Sequence, residues 1–307
     1  MNTKLMTFLL WFVALLITLA FIRYQRATGP TYPIDGDVNI GETVIDFELP
    51  RSYGGEGGAE IEIYVPDKSI KARINYRRYK SYDEWSEDKM LRKGDTLAFE
   101  LPKLAPAGKM QYHIYLKGPE GAEQPLTEEE VILRYKGGVP DFILGLHIVF
   151  IFSAFLFSMR TLIEAFLKRK NTAKLALWTF ILLTIGGLIL GPIIQLYAFG
   201  ALWTGWPFGH DLTDNKTLVA WIMWLVAFIM LRRKPDKQWW AVLAGIVLIG
   251  VYLIPHSVLG SEIDYRKIPQ EPAQGNMYDN DDGALNEIHR SKNDKLSIAG
   301  IYSRHLR

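Results

Sequence analysis

The chain has 307 residues, of which 35 are basic and 33 acidic, giving a formal net charge of +2. This nearly balanced charge gives no basic footprint for nucleic acid. The absence of cysteine excludes disulfides, thiolate metal sites, cysteine nucleophiles, c-type haem attachment and cysteine-ligated iron–sulfur clusters. Because five long apolar runs alternate with polar stretches, the sequence predicts a membrane protein of mixed α and β structure with a sizeable water-exposed part.

The five apolar runs are candidates for transmembrane helices. A helix rises about 1.5 Å per residue and the hydrocarbon core is about 30 Å thick, so the first three runs span it unaided, whereas the last two need flanking residues. Lys4 is the only charge before the first run and no cleavage pattern follows it, so we expect a retained signal anchor rather than a cleaved signal peptide. The runs are 5–22, 142–159, 175–201, 218–231 and 239–255.

The basic residues of two short loops set the expected orientation. The positive-inside rule places both loops in the cytoplasm. We therefore expect a plasma (inner) membrane protein with a cytoplasmic N-terminus, and with the stretch 24–140, the loop near 202–216 and the C-terminal tail on the outer side. The basic residues are Lys168, Arg169, Lys170, Lys174, Arg232, Arg233, Lys234 and Lys237.

Four regions follow from these patterns: a transmembrane anchor over 1–23, an extracytoplasmic β domain over 24–140, a four-helix transmembrane bundle over 141–257, and a polar tail over 258–307 that we expect to be disordered. In the β domain, apolar and polar residues alternate in six short stretches separated by glycine and proline turn signals. Six or seven half-buried antiparallel strands in about 115 residues indicate a β-sandwich. The alternating sets begin with Ile45, Ile61, Ala72, Leu97, Met110 and Val131.

The stretch 106–116 (PAGKMQYHIYL) resembles the approach to strand F in fibronectin type III and immunoglobulin-like domains. In those folds a tyrosine near the start of the strand makes the tyrosine corner, and Tyr112 is the matching position. The resemblance covers about a third of the chain. It implies a fold only, because such sandwiches host many functions.

Two features of the spans have structural interpretations. Arg160 and Glu164 are four residues apart near the cytoplasmic end of the second span, and we expect an interfacial ion pair. Gly187 and Gly191, followed by Pro192, give the third span a small face for close helix packing; a hinge is the alternative.

The loop 203–216 (WTGWPFGHDLTDNK) combines aromatic residues with a dense polar end. It resembles a loop of uncharacterised multi-pass bacterial membrane proteins, a resemblance that implies no activity. Its aromatic half suits the membrane interface. Its polar half has the pattern of a helix start, with Asp211 or Thr213 as the N-cap and Asp214 in the first turn.

Three histidines are expected at the outer end of the bundle. His147 lies six residues into the helical region and thus roughly 9 Å inside the outer leaflet, His256 closes the fifth run, and His210 lies in the outer loop. With Asp211 and Asp214 they could ligate zinc, copper or non-haem iron, and two facing imidazoles could ligate haem b. The structural alternative makes the two aspartates helix caps and His147 a packed residue.

Two functions from different classes remain open. The chain shows no secure catalytic constellation, and a sandwich tethered at both ends suits docking. We therefore expect a membrane subunit or assembly factor whose β domain binds a protein partner in the membrane or periplasm. The alternative is a redox or metal-binding protein that uses the three histidines. A transporter is the third choice, because the spans contain almost no ionisable groups.

Overall fold

The computed structural model describes residues 3–119, 121–255 and 260–268, and it shows an α+β protein with five helices and antiparallel sheets. Four of the helices are long and apolar enough to cross a membrane, whereas the fifth has only 15 residues. The helices are α1 (Thr3–Thr28), α2 (Asp141–Phe166), α3 (Thr172–Phe199), α4 (Leu212–Arg233) and α5 (Trp239–Leu253).

Helices α2, α3, α4 and α5 form a closed ring in which each packs against two neighbours. Helix α1 lies outside this ring, against α2 and α5. Small residues on the facing surfaces, such as Ala154, Ala176, Ala227 and Ala244, let the helices approach closely. Ala14 of α1 is fully buried against the same core, so α1 is packed as part of the bundle.

The β domain lies between α1 and α2 in the chain. Its strands form a two-stranded hairpin, a three-stranded sheet (β4-β8-β7) and a six-stranded sheet (β3-β11-β9-β5-β6, with β10 on β9). All pairs are antiparallel except the short pair of β3 and β11. The strands are β1 (Ile34–Ile40), β2 (Thr43–Leu49), β3 (Ser52–Tyr53), β4 (Ala59–Tyr64), β5 (Lys71–Arg78), β6 (Ser86–Lys89), β7 (Leu91–Lys93), β8 (Thr96–Leu101), β9 (Lys109–Lys117), β10 (Gln124–Pro125) and β11 (Val131–Tyr135).

The alternating residues of all three sheets meet in one apolar core. Hairpin β1–β2 covers one side of it with an apolar face, which includes Ile45 and Leu49. Its opposite face is polar and exposed, because successive side chains of a strand point to opposite sides. This polar face borders the helices, as described below.

Tyr112 is buried in this core, but it does not make the expected corner. A tyrosine corner closes on a backbone carbonyl a few residues upstream. Here the Tyr112 hydroxyl donates to the carbonyl of Pro50, 62 residues earlier, at 3.2 Å. The tyrosine therefore ties β9 to the connection after β2, and the immunoglobulin-like strand order remains a prediction.

The ion pair between Arg160 and Glu164 is confirmed, with Nη2 of the arginine 2.7 Å from Oε2 of the glutamate. Both side chains are buried within the protein, at 2% and 0% exposed. Arg169 approaches the same carboxylate oxygen to 3.2 Å, and the backbone N–H of Asn171 donates to the other oxygen. Glu164 thus fastens the turn between α2 and α3.

Candidate functional site

A cavity of ≈ 1090 Å³ lies between the β domain and the helix ends that face it. All five helices line it, together with hairpin β1–β2 and strand β11. Its volume is slightly above the range of about 300–1,000 Å³ that is usual for small-molecule sites. The β domain forms the roof of the cavity. It contacts the helices directly: the backbone N–H of Gly137, just after β11, donates to the carbonyl of Ala198 near the end of α3.

The wall of the cavity changes from polar to apolar with depth. Polar and charged residues come from the strands or from within about one turn of the domain-facing helix ends: Arg26, Asp35, Glu48, Arg134, Gln195 and Lys216. The residues that line it from more than one turn inside the ring are mostly apolar, with His147 and Thr217 as polar exceptions, while Leu144 and Phe199 are apolar residues nearer the rim. The deeper apolar residues include Ile151, Phe152, Leu183, Ala220 and Leu248. The cavity therefore presents charge at its rim and hydrocarbon at its base.

Helix α3 is widened where it borders the cavity. Residues Thr184–Leu190 are π-helical, a form that frequently occurs at functional sites. Gly186 and Gly187 allow close contact here: a Cβ at Gly186 would lie 3.0 Å from the backbone nitrogen of Ile151, and one at Gly187 would lie 2.7 Å from a methyl carbon of Thr217. The packing interpretation therefore holds for Gly187, whereas a Cβ at Gly191 would make only ordinary contacts.

His147 is bound to this widened segment. Its Nδ1 lies 3.0 Å from the carbonyl oxygen of Gly186, and because a carbonyl can only accept, Nδ1 carries the proton. In the neutral ring Nε2 is then an acceptor, and it has no hydrogen-bond partner in the part of the chain that the structure describes. His147 also lines the cavity. Its Nε2 is therefore a hydrogen-bond acceptor available to a ligand below the charged rim.

Asp211 and Asp214 organise the loop that precedes α4. Asp211 is the N-cap of α4, and its side chain accepts from the backbone N–H groups of Thr213 and Asp214. Asp214 accepts from the backbone N–H groups of Thr204 and Gly205 at 2.7 and 2.9 Å. Both carboxylates are buried. The structure confirms Asp211 as the N-cap and Asp214 as a first-turn residue of α4, but the Asp214 carboxylate binds the loop backbone and does not cap the helix.

Residues 260–268, here called the return segment, run from the bundle back to the β domain. Ser261 donates to Asp211 through both its backbone N–H and its hydroxyl, at 2.7 and 2.8 Å. Glu262 forms ion pairs with Lys80 and Lys109 of the β domain. The backbone N–H of Ile263 donates to the carbonyl of Ala107. The return segment therefore fastens the roof to the start of α4.

The charges of this junction are tightly paired. Burial alone would raise the pKa of Glu262, but the hydrogen bonds from Lys109 and Lys80 outweigh it, and the pKa lies below its ordinary value of 4.5. The two lysines respond differently: burial lowers the pKa of Lys109, whereas the hydrogen bond to Glu262 raises that of the more exposed Lys80. Glu262 is therefore ionised and fully engaged at neutral pH.

The structure brings some of the predicted ligands together. His147, Asp211 and Asp214 all line the cavity, whereas His210 is exposed on its loop and does not line it. His256 lies outside the described residues. Across 3–119, 121–255 and 260–268, no group of three histidine, aspartate or glutamate side chains is arranged to hold a metal ion. A metal or haem site with His147, His210 and His256 stays a prediction.

Sequence reasoning missed the charged rim. Arg134 alternates with the core residues Leu133 and Tyr135, which predicts an exposed side chain, yet it is only 6% exposed because helix α3 and the return segment cover that face. Asp35 and Glu48 lie about 100 residues before the helices they face. No local pattern places them at a cavity, because the site exists only once the β domain has docked on the bundle.

No family model and no curated protein matches the sequence. Among solved structures, the one titled "Crystal structure of Br derivative BhCBM56" is 10% identical, and the match covers 32% of this chain and 99% of that chain with a TM-score of 0.24. A likeness this slight carries no argument about fold or function. The cavity and its side chains therefore carry the functional conclusion.

Proposed function

We propose that the protein is an integral membrane protein that binds an amphipathic, membrane-derived ligand in the cavity beneath its β domain. The observation that carries this proposal is the polarity of the cavity wall, with charged residues on the rim and apolar residues inside the helix ring. An amphipathic molecule satisfies both zones at once: its head group pairs with the rim, and its hydrocarbon passes from the bilayer into an equally apolar helix ring.

The proposed topology supports a ligand from the outer leaflet. The basic loops that follow α2 and α4 lie at the bundle end opposite the β domain, which the positive-inside rule assigns to the cytoplasm. At the domain-facing end, Trp206 and Phe208 are 68% and 65% exposed, as expected of aromatic side chains at a membrane interface. The cavity mouth then lies at the outer surface of the membrane.

Helix α1 is proposed to be a retained signal anchor. Its packing supports this, because Ala14 is fully buried, Trp11 meets Phe157 of α2 edge to face at 4.9 Å, and the Tyr24 hydroxyl donates to the carbonyl of Leu253 at 2.8 Å. Removal of α1 would expose these groups. It would also remove one wall of the cavity.

Two matched glycine substitutions test the binding function. Gly191 lines the cavity, and a Cβ there makes only ordinary contacts, so the side chain of Gly191→Leu would project into the cavity. A Cβ at Gly250 of α5 would meet nothing within 4 Å, so Gly250→Leu is the control. Each variant is purified in mild detergent, and bound lipid is extracted and quantified by mass spectrometry.

We expect the wild type and Gly250→Leu to retain about one amphipathic molecule per chain, and Gly191→Leu to lose it without a fall in melting temperature. Wild-type protein that carries no such molecule after gentle purification would contradict the proposal. So would equal retention by both variants.

A metal or haem ligand is the second candidate, and His147 favours it. Ligating histidines almost always donate their other ring N–H to a carbonyl or carboxylate, as His147 does to Gly186. Metal analysis and a visible absorption spectrum of the purified protein test this function. Docking of a protein partner on the β domain, the leading expectation from the sequence, remains a prediction.

A further inference from the structure

Two acidic side chains face each other at the rim of the cavity. Asp35 of β1 and Glu48 of β2 are directly opposite in the hairpin register, both are exposed, and both line the cavity. Like charges directly opposite on neighbouring strands destabilise a sheet. Neither carboxylate makes an ion pair with any residue in the described chain, so their repulsion is uncompensated.

A buried cation lines the same cavity. Arg134 is 6% exposed; its Nη2 makes one long hydrogen bond of 3.4 Å to the carbonyl of Gly260, and its Nη1 has no partner among the described residues. The nearby carboxylates already have other partners. Glu262 forms ion pairs with two lysines, and Asp211 accepts hydrogen bonds from Ser261 and from the first turn of α4. A buried guanidinium with free donors is costly unless a further acceptor approaches it.

The rim therefore combines unpaired charges of both signs. Lys216 adds a second cation, whose ammonium donates to the carbonyls of Ile254 and Pro255, and Arg26 at the end of α1 adds a third. A simple anionic ligand would leave the acidic pair unmatched, and a simple cationic ligand would leave Arg134 unmatched. A head group that carries both charges satisfies both.

Building on the proposed function, we propose that the ligand is a zwitterionic phospholipid with a primary ammonium, that is, a phosphoethanolamine lipid. Its phosphate would pair with Arg134, its ammonium would lie between Asp35 and Glu48, and its acyl chains would occupy the helix ring. A primary ammonium donates three N–H groups to carboxylates, whereas the quaternary ammonium of a choline lipid donates none. Ethanolamine lipids should therefore be preferred over choline lipids and over anionic glycerol lipids.

The hairpin supplies a matched control. Asp37 and Asp46 form the next opposed pair on the same exposed face, but they do not line the cavity. Asp35→Asn/Glu48→Gln and Asp37→Asn/Asp46→Asn thus remove the same charge from the same face. Each double change also relieves a repulsion, so neither variant should lower the melting temperature.

The full-length protein is reconstituted in nanodiscs of equal parts ethanolamine, choline and glycerol phospholipid, and the lipids retained after transfer to detergent are identified by native mass spectrometry. Loss of a charge-assisted hydrogen bond changes affinity by roughly tenfold. We expect about tenfold enrichment of the ethanolamine lipid by the wild type and by Asp37→Asn/Asp46→Asn, and no enrichment by Asp35→Asn/Glu48→Gln.

The outcomes separate the two proposals. Wild-type protein that retains lipid without preferring ethanolamine, or an Asp35→Asn/Glu48→Gln variant that keeps the preference, overturns the head-group assignment alone. Equal loss of the preference in both double variants also overturns it, because the effect would then come from the charge of the hairpin as a whole. Wild-type protein that retains no lipid contradicts the binding function itself.

Discussion

Loss of Glu164 should destabilise the helix bundle much more when Arg160 is present than when Arg160 is replaced by an apolar residue. The two side chains are 0% and 2% exposed, and they form an ion pair of 2.7 Å. The substitution Glu164→Leu would leave a buried guanidinium whose Nε and Nη1 already lack partners in the described chain. Trp11 lies 5.7 Å away and offers only a ring face in compensation.

Burial sets the size of the expected effect. An exposed pair four residues apart on a helix contributes only about 0.3–0.5 kcal/mol. Removing one partner of a buried pair instead costs about 3–5 kcal/mol, because the remaining charge is uncompensated. Replacing both partners with apolar residues is often neutral or stabilising. The double variant Arg160→Met/Glu164→Leu should therefore be more stable than Glu164→Leu by roughly 3 kcal/mol.

We would measure this difference by reversible unfolding of Glu164→Leu, Arg160→Met and the double variant. Each protein is titrated with a denaturing detergent, and unfolding is followed by circular dichroism. The three variants and the wild type form a double-mutant cycle. If the double variant loses as much stability as the two single variants added together, the charges do not act on each other, and the buried pair is not the cause of the destabilisation.

Three other substitutions probe the roof and the widened helix. Asp211→Ala removes the N-cap of α4 and the acceptor of Ser261. The free energy of unfolding should therefore fall by about 1–3 kcal/mol, and the melting temperature should fall with it. Because the pKa of Glu262 is lowered, its stabilising contribution is full above its ordinary value of 4.5 and is lost as pH falls through the lowered pKa. The protection factors of the return-segment amides, which compare each exchange rate with the intrinsic rate at the same pH, should therefore fall on acidification in the wild type, whereas in Glu262→Gln they should be low at every pH. Gly186→Ala should lower the melting temperature, because its Cβ meets the backbone of α2 at 3.0 Å, whereas Gly250→Ala should raise it slightly through helix propensity.

Most regular elements could be predicted because their signal is local. The set Ile61, Ile63 and Val65 alternates with polar residues, and all three side chains are buried as that pattern requires. Strand β6 gave no such signal: all four of its residues are exposed, and its conformation comes from pairing with β5. The π-helical segment of α3 was equally hidden, because its sequence TIGGLIL also suits an ordinary apolar helix.

The candidate site was predictable only in its helical half. His147 and Asp211 could be found because an ionisable residue in a span and a polar residue at a helix start stand out in a sequence. Arg134, Asp35 and Glu48 look like ordinary polar residues of exposed strand faces. Their role follows from the docking of the β domain, a contact between parts of the chain that sequence periodicity does not describe.

The order of synthesis gives the return segment a further role. Glu262 is separated from its two lysine partners by 182 and 153 residues, so the β domain can fold long before these contacts form. In the proposed topology all five helices must be inserted before residues 260–268 reach the outer side. Until then the folded β domain is held to the helices without the contacts of Ser261 to Asp211 and of Glu262 to Lys80 and Lys109. Chains that end before residue 260 would therefore lack the link between the β domain and the start of α4.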